Sequence, residues 1–145
     1  MGIELSHRPN FKSMKDRMFK GILQEVRDVV TDVRDDIIAN SVNKGVDYQG
    51  RSFKQYSPKY KYWKSKRTKS SAKPNLFLTG HMMGGIQVDA YQEGRKYIGR
   101  IYAISNVVAS RIKGNNKTRK FFAISKKARK DFKERLINFI GGNLK

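Results

Sequence analysis

Residues 86–104 read IQVDAYQEGRKYIGRIYAI. In the first half Ile86, Val88 and Ala90 alternate with Gln87, Asp89 and Tyr91, the two-residue period of a strand that turns one face to a core. Gln92-Glu93-Gly94-Arg95 is turn chemistry. Lys96 to Ile104 supplies the return strand, with Tyr97, Ile98, Ile101 and Tyr102. An antiparallel hairpin flanked by helical segments makes the fold class α+β: a long N-terminal helix and a C-terminal helix packed on a small antiparallel sheet, with long basic loops.

Towards the N-terminus, Asn75 to Ile86 reads NLFLTGHMMGGI. Leu76 and Leu78 anchor to the core, Thr79 is the expected N-cap of a single turn through Met83, and Gly84 and Gly85 release the chain into the strand. Before it lies Lys64 to Lys73, rich in Lys, Ser and Thr, which reads as an exposed loop. Ser57-Pro58 predicts the start of a short helix, Ser57 capping and Pro58 at the first helical position, so that Tyr60 shares a face with Trp63 or Lys64. Asn40 to Gly50 reads as a turn region.

The longest element is predicted at Phe11 to Ala39. Phe11, Met14, Met18, Ile22, Val26, Val29, Val33 and Ile37 follow one another at steps of three or four residues, a single helical stripe. At 1.5 Å per residue it is ~40 Å long, more than a chain of this size usually needs. Either its end projects, or a neighbouring subunit covers part of the stripe; Met18, Ile22, Val26, Val29 and Val33 are the candidates for that packing. Towards the C-terminus, Ser105 to Lys120 has no clean period and reads as a basic loop. Phe121, Phe122 and Ile124 return to the core. Ser125 caps a last helix with Ala128, Phe132, Leu136, Phe139 and Ile140 as its stripe, stopped by Gly141 and Gly142.

The 145 residues suit one domain, residues 1–145, with no second core. There are no cysteines, which excludes disulfides, thiolate metal sites and a Cys nucleophile. No apolar run reaches the ~20 residues of a membrane span, and Met1 to Asn10 lacks the pattern of a secretory signal. The charge is uneven. Residues 1–47 hold eight Lys/Arg and eight Asp/Glu, whereas residues 48–145 hold 24 against four and carry the whole +20. Such a field favours a polyanion partner.

Nothing in the sequence assembles an enzyme site, a metal site or a cofactor site. His7 and His81 have no acidic residue in local reach. Asp28, Asp32 and Asp35 share a helix face with interspersed arginines and read as a solvated face. Tyr56, Tyr60, Tyr62 and Trp63 are interleaved with Lys54, Lys59, Lys61, Lys64, Lys66 and Arg67, a segment able to neutralise phosphates and stack bases without reading sequence. These six cations are the candidate nucleic-acid-facing residues.

The stretch GRSFKQYSPKY from Gly50, a Lys-rich gap, and LFLTGHMMGGI from Leu76 together resemble the virion morphogenesis proteins of tailed bacteriophages, the tail-completion or type 1 neck proteins. Gly50, Phe53, Ser57, Pro58, Tyr60, Leu76, Thr79, Gly80 and Ile86 carry the match. Tyr102-Ala103, then RKFFAIS from Arg119 and a closing helix, resemble the later half of that family. The resemblance implies a non-enzymatic protein of the virion, made in the host cytoplasm, forming a homo-oligomeric ring, commonly sixfold, at the head–tail junction. Connector and tail proteins are then its partners, DNA passes through, and any DNA contact is non-specific. Two other readings compete: a monomeric or dimeric nucleic-acid-binding protein without sequence preference, and a basic chaperone of an acidic partner.

Overall fold

The structure, a computed structural model, describes residues 11–67, 74–76 and 80–143. Its elements are α1 (Phe11–Ala39), a π-helical turn (Asn40–Lys44), α2 (Pro58–Ser65), α3 (His81–Gly84), β1 (Ile86–Glu93), β2 (Lys96–Ala103), α4 (Asn106–Asn116) and α5 (Lys126–Asn143). The α+β class expected from the hairpin is the class observed.

Helix α1 has the expected bounds, but the chain does not turn at Asn40. The helix widens into the π turn, because the apolar face continues: Ser41 is buried, with its hydroxyl donating to the Ile37 carbonyl at 2.7 Å, and Ile38 and Val42 pack on the core. Gly45 ends it at φ 65°. A side chain there is excluded twice, since that φ favours glycine and a Cβ would lie 2.2 Å from the Pro74 carbonyl oxygen.

β1 and β2 pair antiparallel from Ile86↔Ala103 to Glu93↔Lys96, joined by Gly94 and Arg95. Ile86, Val88 and Ala90 share one face with Ala103, Ile101 and Gly99. That face lies on α1 so closely that a Cβ on Gly99 would meet Val30 Cγ1 at 2.5 Å. On the outer face Arg100 bonds Asp89 at 3.2 Å and lies over the rings of Tyr91 and Tyr102.

The expected loop at Ser105 to Lys120 is instead helix α4 for most of its length. Ser105 caps it by accepting from Val108 N at 3.3 Å, and Val108 and Ile112, four residues apart, are its buried side chains. So narrow a stripe on a polar helix leaves little periodicity to read. After α4, Asn116 Oδ1 accepts from Phe121 N and Phe122 N while its amide donates to Phe122 O, turning Phe121 into the core.

Helix α5 starts as expected, with Ser125 Oγ accepting from Ala128 N at 3.0 Å. Gly141 and Gly142 do not stop it, and the helix continues to Asn143. A glycine costs a helix only about 1 kcal/mol, too little to interrupt an established one. α5 runs antiparallel to α1. Arg135 bonds Glu25 and Asp32, and Phe139 packs against Gly21.

Two apolar clusters result. Ile37, Phe53, Met82, Met83, Ile86, Val108, Ile112 and Phe121 form one; Ile22, Val26 and Ala90 form the other, flanked by Met18, Tyr97, Phe132, Leu136 and Phe139. Of the α1 residues expected to meet another subunit, Ile22, Val26 and Val29 are therefore buried within the chain, and Met18 and Val33 are half-buried against its own clusters. The chain's own packing thus accounts for most of this stripe, although Val29 and Val33 also border an open apolar groove beside Ile98 and Phe132. The end of α1 projects: Phe139 is level with Gly21, so the first turns of α1 extend past α5, and Met14 is 50% exposed.

Candidate nucleic-acid interface

The basic aromatic segment becomes α2 and the strap leading to it. Its geometry follows the sequence closely at the start: Ser57 Oγ accepts from Tyr60 N at 3.3 Å and Pro58 opens the helix. The strap before it is fixed by Asp47, which is buried and accepts from the backbone of Gln49 and Arg51 and from the Arg51 guanidinium, each at 2.9 Å. Burial alone would raise the Asp47 pKa. The two N–H donors and the Arg51 charge outweigh it and hold the carboxyl below its ordinary value. Gly50, at φ 81°, closes this turn, and Phe53 then enters the core.

On α2 the rings stack on one another. Tyr56 meets Tyr60 edge-on at 4.8 Å, and Tyr60 stacks on Trp63 at 5.5 Å. Cations cover both ends of the row: Arg119 lies 4.6 Å from the Tyr56 ring and Arg67 lies 4.1 Å from the Trp63 ring. Lys66 lies over Tyr62 at 4.6 Å. The rings therefore hold guanidinium and ammonium groups at the surface, and the row offers its cations before its faces. Phosphate contact fits this arrangement better than base stacking.

Lys54, Lys59, Lys61, Lys66 and Arg67 are exposed, as an anion-facing role requires. Lys64 is not. It is 4% exposed, and its ammonium donates to the Asn75 carbonyl at 3.1 Å, to Asn75 Oδ1 and to the Tyr56 hydroxyl at 3.3 Å. The helical period turns it inward, away from the exposed loop expected at Lys64. Burial, and then the charge of Arg119, lower its pKa. Burial also raises the pKa of Tyr56, whose hydroxyl donates to the Asn75 carbonyl. Asn75 in turn donates to Val42 O at 3.1 Å, so this polar knot ties α2 to the end of α1.

Of the remaining residues in the family-like pattern, Ile86 is buried, Leu76 is half-buried against the core, and Gly80 occupies the cap position of α3 at φ 78°. The expected capping residue Thr79, like Leu78, lies outside the described residues. The turn begins one residue later than expected, with Gly80 at the cap and no side-chain cap bond.

Three residues that sequence reasoning left in a loop join the site. Arg111, Asn115 and Arg119 border a cavity of about 730 Å³ together with Lys54, Tyr56, Ser57 and Lys64. Arg111 and Asn115 are one helical turn apart on α4, and Asn115 donates to the Arg111 carbonyl at 2.9 Å. The Val108–Ile112 spacing after Ser105 was the available signal for that helix. No carboxylate lines the cavity among the described residues.

Among the described residues no group of three or more His, Cys, Asp or Glu side chains is placed to hold a metal ion, and no helix is long and apolar enough to cross a membrane. Compared with protein-family models, curated proteins and solved structures, the chain matches none of them.

Proposed function

We propose that this chain is a structural protein of a tailed-bacteriophage virion, a neck or tail-completion protein that forms a ring around the DNA exit path at the head–tail junction. The observation that carries the reading is that the two family-like stretches meet in one unit. Phe53 from the first and Ile86 from the second are buried in the same cluster, with the capped Ser57-Pro58 helix between them. The charge supports it too. Every acidic residue of the chain lies outside residues 48–88 and 94–130, so α2 and α4 carry cations alone. A lumen lined this way favours passing DNA through phosphates, without sequence preference.

The second reading, a monomeric or dimeric nucleic-acid-binding protein, draws on the same cationic face. Light scattering on the full chain separates the two. A ring gives a fixed integer multiple of the chain mass that persists on dilution. A monomer or dimer at every concentration, alone and with connector protein, together with tight salt-sensitive DNA binding, supports the second reading and overturns the first.

A further inference from the structure

We propose that the cavity between α2 and α4 is a phosphate site that seats a phosphodiester of a nucleic-acid backbone. The inference uses the nucleic-acid contact of the proposed function but not the ring.

Three observations carry it. First, Lys54, Arg111 and Arg119 converge on the cavity, and among the described residues none of them has a carboxylate partner. Five other arginines do pair with carboxylates: Arg27 and Arg100 with Asp89, Arg34 with Asp35, Arg51 with Asp47, and Arg135 with Glu25 and Asp32. Like charges gathered without a counter-ion repel, and an anion relieves the repulsion. Second, Arg119 is already positioned. Its guanidinium lies over Tyr56 and donates to the Lys54 carbonyl at 3.1 Å, while its buried Nε has no hydrogen-bond partner. A buried donor left unmade is costly, and a small shift of this side chain towards an entering phosphate gives it an acceptor. Third, α2 begins at the cavity through Ser57, which adds the positive end of an eight-residue helix.

The geometry also selects the part of the polymer that is recognised. Tyr60 is engaged on one side by Tyr56 and on the other by Trp63, and Trp63 carries Arg67. With these rings occupied, the backbone phosphate is the group that fits, and single and double strands should bind without preference for sequence.

The test is binding of the full chain to a labelled duplex of arbitrary sequence across a salt series, with Arg111→Gln, Arg119→Gln and, as a control of equal charge outside the cavity, Lys113→Gln on the same helix. The expected result is a several-fold loss for each cavity variant, with the slope of log affinity against log salt reduced by about 1, and a clearly smaller loss for Lys113→Gln. Equal losses for all three mean a diffuse field with no site and overturn the proposal. Should Arg119→Gln misfold, Arg111→Gln and a second readout decide. Inorganic phosphate at matched ionic strength should raise the melting temperature of the unmutated chain more than chloride does, and should lose that advantage in Arg111→Gln. Phosphate stabilisation without any cavity-dependent duplex binding also overturns it, because the occupant is then a small anion. A monomer that passes both tests refutes the ring and leaves the phosphate site standing.

Discussion

Lys64 and Arg119 both lie within 5 Å of the Tyr56 ring centroid, at 4.9 and 4.6 Å, and their surroundings give them different work. The Lys64 ammonium is spent on Asn75 and Tyr56 inside the molecule. Lys64→Met should therefore lower stability by about 1–3 kcal/mol, the cost of leaving buried acceptors unmade. Lys64 also borders the cavity, but its ammonium is held in these internal bonds, so the same variant should reduce the salt slope of DNA binding clearly less than Arg111→Gln does. Urea unfolding and a salt titration check the two halves separately, and a slope reduced as much as in Arg111→Gln would contradict the internal role. Asp47 supplies a pH dependence. Its folded pKa is depressed, so the unfolded chain binds more protons in acid. Its contribution is complete above the ordinary value of 3.8 and is lost as pH falls through the lower folded value. Asp47→Ala should cost about 2 kcal/mol near neutral pH through its lost hydrogen bonds. The difference from the unmutated chain should shrink in acid, as read by denaturation at pH values on both sides of that range.

Among the elements, α4 is the one on which the proposed phosphate site depends, since it holds Arg111 and Asn115 and ends where Asn116 turns the chain back. Ser105→Ala should cost about 1 kcal/mol through the lost cap. Ile112→Ala should cost about 2–5 kcal/mol because its side chain is buried in the main cluster. Thermal unfolding of both variants checks the order: near-equal values would contradict the burial described for Ile112. α4 also marks how far the sequence was legible. α1, the capped α2, the hairpin and the cap of α5 were readable because each has a strong local signal: eight apolar residues at helical steps, Ser57-Pro58, alternation in the first strand, Ser125. α4 offered two buried residues among Lys, Arg, Asn and Gly, and the site lost Arg111 and Arg119 with it. The π turn was hidden because Asn40 and Asn43 are turn formers by composition, whereas the buried Ser41 and the packed Val42 decide the local path. Lys64 was misplaced for the opposite reason, since a lysine within a basic run gives no hint that the helical period faces it inward.

Across the whole molecule, charge and packing separate. Helix α1 is largely occupied by the chain's own hairpin and α5. Among the described residues the exposed aliphatic side chains include Ile104 and Val107 at the start of α4 and Ile124 before α5; three others, Met14, Ile137 and Ile140, lie on the paired helices α1 and α5. If these three close the ring, Met14→Glu combined with Ile140→Glu should dissociate the assembly with little change in monomer stability, which light scattering and thermal unfolding read together. Part of the +20 that begins after residue 47 lies on the acid-free surface of α2 and α4; α5, with six cations against two acids, shares mixed charges with α1. The proposal that the surface of α2 and α4 lines the DNA path of a virion is tested by electron microscopy of phage particles assembled with this chain and labelled on it. Label confined to the head–tail junction is the expected result, and label on the capsid shell, at the distal tail, or absent from the particles would contradict it.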